Sequence, residues 1–115
     1  MSYVDGLVAA VPNANKQAFI DHAGKFAKLA KSHGALKVME NWGDDVPDGK
    51  LTSFPLAVKK QVDETVVFSW VVWSSKKAHE EGWAKIMADE SMKDMAMPFD
   101  GKRMTFGRFE TVLEA

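Results

Sequence analysis

The chain has 115 residues, 46% of them apolar and 27% charged, and its 15 basic and 16 acidic groups leave a net charge of −1. That length holds a core burying roughly two-thirds of the unfolded surface, and the composition excludes intrinsic disorder. With no cysteine, disulfides, thiolate nucleophiles and cysteine-ligated zinc are excluded too. Arg103 and Arg108 are the only arginines and the lysines are scattered, so the concentrated basic patch of a nucleic-acid binder is missing. No apolar run approaches membrane-spanning length, and no basic segment followed by an apolar run marks a signal peptide. The expectation is one cytoplasmic domain over residues 1–115, with neither nucleic acid nor membrane as partner.

Tyr3 to Val11 reads as a strand filled by apolar and small residues, and Pro12 ends it because proline cannot donate to a sheet ladder. Asn13 or Asn15 is expected to cap a helix in which Phe19, His22, Ala23, Phe26, Ala27 and Ala30 recur at helical spacing. Gly34 stands where a left-handed cap belongs. Ala35 to Trp42 reads as a second strand, with Leu36, Val38, Glu40 and Trp42 on one face. Gly43 to Lys50 (GDDVPDGK) is turn chemistry, and Phe54 to Val58 reads as a short edge strand because of Pro55.

Thr65 to Trp73 (TVVFSWVVW) is the clearest strand and is apolar on both faces, which predicts cover on both. Ser74 or Ser75 is expected to cap a helix running to about Ala88, with His79, Trp83, Ile86 and Met87 as its apolar stripe. Asp89 or Ser91 starts a further short turn of helix, Asp100-Gly101 is a turn, and Arg103 to Val112 reads as the last strand. The βαββαβ order implies an α+β, ferredoxin-like sandwich: an antiparallel sheet with both helices on one face. The other face, carrying either Phe68 with Trp70 or Val71 with Trp73, needs a second sheet, and the same face of a second copy supplies one in a homodimeric α/β barrel.

The segments YVDGLVAAVP (Tyr3 to Pro12), ENWGDDVPDGK (Glu40 to Lys50), VVFSWVVWSSK (Val66 to Lys76) and MPFDGKRMTFGRFE (Met97 to Glu110) resemble the YbaA-like family of uncharacterised bacterial proteins. The resemblance runs over almost the whole chain, and MPFDGKRM is its most specific part. It implies membership of the dimeric α/β-barrel superfamily and brings no established activity. The strand-to-helix junction from Phe68 through Trp73-Ser74-Ser75 is similar to that of the antibiotic-biosynthesis-type and haem-degrading monooxygenases. In the haem degraders a histidine follows the strand-end tryptophan by ten residues. Here that position is Trp83, and the asparagine those enzymes carry on the first strand has no counterpart between Tyr3 and Val11, so haem chemistry is not carried over and no cofactor is expected.

Asp5 interrupts an apolar strand, and a buried carboxylate needs partners, for which Lys102, Arg103, Arg108 and backbone donors are the candidates. His22 and His79 fall on or beside helix stripes and are candidate acids or bases. His33 belongs at a helix end, where a cation suits the dipole. Glu40, Asp44, Asp45 and Asp48 are acidic, but Val46 and Pro47 break the alternation of a calcium loop. Met92, Met95 and Met97 fit adaptable core filler better than a thioether metal site, so no metal is expected.

The candidate pocket is therefore Asp5, His22, Trp73, His79 and Trp83, with Arg103 and Arg108 as polar partners. The functional expectation is a homodimer binding or converting a small aromatic or quinone-like molecule between helices and sheet, in the manner of a cofactor-free monooxygenase or isomerase. The alternative is a non-enzymatic dimeric accessory or stress protein acting through a protein partner.

Overall fold

The computed structural model of the protein describes residues 1–115, apart from the side chain of Asp94. Its elements are β1 (Tyr3–Pro12), α1 (Lys16–Ser32), β2 (Lys37–Trp42), a single-turn α2 (Phe54–Ala57), β3 (Glu64–Trp73), α3 (Lys76–Ala88) and β4 (Thr105–Glu110). Short 3₁₀ turns occupy Asn13–Asn15, Glu90–Asp94 and Gly101–Arg103. The sheet order is β2-β3-β1-β4 with every neighbouring pair antiparallel. This is the ferredoxin-like α+β arrangement, and the four strands of one chain do not close on themselves.

Alternation along the strands assigns the two faces. Ala9, Val11 and Val67 pack with Phe19 of α1, while Val71 and Trp73 pack with Leu29 and Ala30 of α1 and Ile86 of α3. The helices therefore cover the Val71 and Trp73 side. On the opposite side, Ala10 and Val66 are buried beneath Val58, just past α2. Beyond that corner the face is bare: Phe68 is 42% exposed and Phe109 59%. Phe68 packs against Phe54 and Trp70 at ring-centroid distances of 5.7 and 5.3 Å. Val4, Val8, Trp70 and Val72 complete a shallow apolar depression there.

Several local expectations change. The Asn15 side chain does not cap α1; its amide donates to the Pro98 carbonyl at 3.0 Å, and the Asn13 side chain accepts from the Thr65 hydroxyl at 2.5 Å. Both asparagines are spent on tertiary contacts. The segment around Pro55 is a helical turn, not an edge strand. Ser53 caps it by accepting from the Leu56 amide at 3.0 Å, and proline in the first turn loses no helical hydrogen bond. Met87 is 70% exposed and drops out of the α3 stripe, and Leu36 is exposed ahead of β2. The last strand is shorter than expected, because Gly101–Arg103 coil before it.

The helix ends follow the expected chemistry elsewhere. Gly34 has φ +107° and closes a Schellman motif, with Ala35 N–H donating to Ala30 O and Gly34 N–H to Lys31 O. Ser75 caps α3 by accepting from the Ala78 amide, and Asp89 caps the next turn by accepting from Ser91. His33 sits at the end of α1 and donates from Nε2 to Asp89 at 3.0 Å. Gly82 lets α3 lie directly on Trp73, since a Cβ there would come within 2.2 Å of the indole and 2.8 Å of the His33 carbonyl oxygen.

Candidate functional site

Asp5 lies on β1 opposite Val71 of β3 and Arg108 of β4, on the helix side of the sheet. Trp73 ends β3 on the same side, and His79 and Trp83 stand one turn apart on α3. These placements converge on one carboxylate. Asp5 Oδ2 accepts from the indole Nε1 of Trp73 at 2.9 Å and of Trp83 at 2.8 Å, and Oδ1 accepts from His79 Nε2 at 2.8 Å. A carboxylate offers about four acceptor positions, so one on Oδ1 stays open. The His79 side chain is only 4% exposed, and its ring is edge-on to Tyr3 at 4.9 Å and to Trp73 at 5.7 Å. Its Nδ1 is buried with no partner among the described residues.

Beside this cluster, between α1 and the sheet, lies a cavity of about 350 Å³. Its wall carries Asp5, His22, Glu40, Ser69 and Trp83, and the rest is apolar, with Phe19, Phe26, Phe99 and Met92, Met95, Met97 and Met104. Glu40 is held by the Ser69 hydroxyl, which donates to its Oε2. Burial pushes the Glu40 carboxyl above its ordinary range, outweighing that hydrogen bond. Burial, helped by the Lys25 charge, lowers His22 and keeps it neutral near pH 7.

The structure thus gathers Asp5, Trp73, His79 and Trp83 into one network and places His22 on the wall of the adjoining cavity. It does not bring Arg103 there. Arg103 forks onto Glu64, with Nη1 at 2.8 Å and Nη2 at 2.6 Å, and its Nε donates to Asp100 at 3.2 Å. Arg103 precedes β4 at the end of the sheet where β1 finishes, whereas Asp5 is near the start of β1, about 20 Å away along the strand. Lys102 is likewise held at that turn, its amide donating to Asp100. Arg108 is cross-strand from Asp5 but makes no ion pair with it. Arg108 lines an outer depression with Tyr3, Lys76 and Glu80, on the far side of Trp83 and His79.

Glu40 and Ser69 are cavity residues that sequence reasoning left with the acidic loop and the strand core. The available signal was Glu40 sharing a face with Val38 and Trp42, which leaves its carboxyl on the side the helices cover. Asp44, Asp45 and Asp48 are exposed and stand apart from it.

Residues 2–101 match a family model described as "Protein of unknown function (DUF1428)". The chain is 48% identical over 116 residues to the uncharacterized protein YbaA of Escherichia coli (strain K12), covering 99% of each, and matches that of Shigella flexneri equally. Among solved structures it is similar to one described as a dimeric ferredoxin-like protein from an uncultured marine organism. That likeness has a TM-score of 0.63 at 16% identity, over 99% of this chain and 98% of the other.

Proposed function

We propose a function for this chain, which belongs to the DUF1428 family of proteins of unknown function: it works as a homodimer that binds a small aromatic molecule between helices and sheet. The observation that carries the reading is the cavity of about 350 Å³ with Asp5 on its wall. A void of that size, apolar apart from a few convergent polar groups, is the general form of a small-molecule site. Three donors fix the Asp5 carboxylate, and its open acceptor position takes a hydrogen bond from the ligand. The same group is placed to receive a proton from it, as an isomerase-like reaction requires, while Glu40 and His22 offer further proton-exchanging groups on the wall.

Two observations support the dimer. The bare sheet face carries Phe68, Trp70 and Phe109, and contiguous apolar faces of this kind mark interaction sites. The similar solved structure is described as dimeric. The alternative, a dimeric accessory protein, calls for an exposed patch outside the dimer face and for no pocket, and the cavity beside Asp5 favours the small-molecule reading.

Thermal unfolding with a panel of small phenols, quinols and aromatic amines tests the cavity. Binding to the native state alone raises Tm in proportion to occupancy. The expected result is a dose-dependent rise for at least one compound, abolished in Ala23→Phe, whose ring fills the space beside Asp5. A rise that persists in Ala23→Phe places the ligand elsewhere and overturns the reading.

A further inference from the structure

We infer that the ligand of this cavity is an aryl-substituted alkylamine, protonated at neutral pH, with its ammonium on Asp5 and its ring among the aromatic and methionine side chains. The inference rests on the reading that the cavity binds an aromatic molecule, and adds the charge that molecule carries.

The balance of charge on the wall favours a cation. The Asp5 side chain is 20% exposed, and its three partners are two indoles and the His79 imidazole; among the described residues no lysine or arginine lies within ion-pair reach. A largely buried carboxylate with no lysine or arginine beside it is an expensive arrangement. Among the described residues no lysine or arginine lines the cavity, and the second acidic group, Glu40, faces the same space. Burial keeps His22 from adding positive charge. An anionic ligand would meet two carboxyl groups and no lysine or arginine, whereas an ammonium adds a charged donor at the open acceptor position of Asp5.

The rings around Asp5 favour a cation as well. Trp83 both donates to Asp5 and lines the cavity, and its ring lies 5.7 Å from that of Phe26, which lines it too. Aromatic faces beside a carboxylate bind alkylammonium groups by cation–π attraction, most strongly where water is excluded. Met92, Met95, Met97 and Met104 form the rest of a soft wall that adapts to the ring of the ligand. Lys76 and Arg108 lie outside, beyond Trp83, where they do not oppose a cation in the cavity by direct contact.

Three probes with one ring system separate the possibilities: naphthylmethylamine as the cation, naphthol as the neutral donor and naphthoate as the anion. Each is titrated calorimetrically into the full chain at neutral pH. The amine is expected to bind roughly tenfold or more tightly than naphthol, the margin of a charge-assisted hydrogen bond, with naphthoate weakest. Asp5→Asn is expected to erase the amine's advantage while naphthol still binds. Because Asp5→Asn also disturbs the indole network, Glu40→Gln serves as the second variant; it leaves that network untouched and is expected to weaken the amine selectively. Equal or tighter binding of naphthol or naphthoate overturns the amine assignment and leaves the cavity standing. So does an amine affinity unchanged in Glu40→Gln when Asp5→Asn is unfolded. Failure of all three probes removes the aromatic site itself, and the amine with it.

Discussion

Trp83 on α3 donates its indole N–H to Asp5 on β1 at 2.8 Å, across 78 residues of chain. Trp73 and His79 complete the same carboxylate, so one side chain ties the first strand, the third strand and the last long helix together. Asp5→Asn replaces an acceptor by an amide that meets donors with a donor. We expect a loss of about 2–4 kcal/mol, the cost of stranding one or two buried donors. Denaturant unfolding measures it, and tryptophan emission should shift with it. An unchanged midpoint would mean that the network does not hold these elements.

The Glu64–Arg103 fork gives stability an acid limb. Hydrogen bonds from Arg103 hold the Glu64 carboxyl at about 2 instead of 4.5. A depressed carboxyl contributes stability that is complete above the unfolded value and is lost as pH falls through the folded one. Asp89, bonded by Ser91 and then His33, is also held at about 2 and acts in the same direction. Stability should therefore fall between about pH 4.5 and 2. Arg103→Met should lower Tm at neutral pH and flatten that fall. Thermal melts across the range measure both, and an Arg103→Met curve parallel to wild type would contradict the assignment.

The bare face predicts a mass. Phe68 lies in its middle and touches none of the helices on the other side. Light scattering of the wild-type chain at micromolar concentration should give twice the 12.8 kDa of one chain, and Phe68→Glu should give the single value. A wild-type protein at the single mass would remove the second copy from the account.

Much of this architecture was legible because period and punctuation agree. Proline at position 12, glycine at 34 and serine at 75 bracket helices whose apolar spacing is plain. The orientation of β3 was not, because Phe68, Trp70, Val71 and Trp73 are apolar on both faces and alternation cannot choose between them. The turn at Phe54 was hidden because proline fits both an edge strand and the first turn of a helix, and only the Ser53 cap decides. For Asp5, charge suggested an arginine or lysine partner. The actual donors are indole and imidazole groups, which in a sequence read as packing, and Arg103 is drawn instead to Glu64.

A crystal of the protein soaked with iodophenol locates the ligand site, because the iodine scatters anomalously wherever the ring settles. The iodine peak is expected between α1 and the sheet, with the phenol hydroxyl within hydrogen-bond distance of Asp5 or Glu40. An ordered ring bound elsewhere with that space vacant, or no bound ring at saturating concentration, would contradict it.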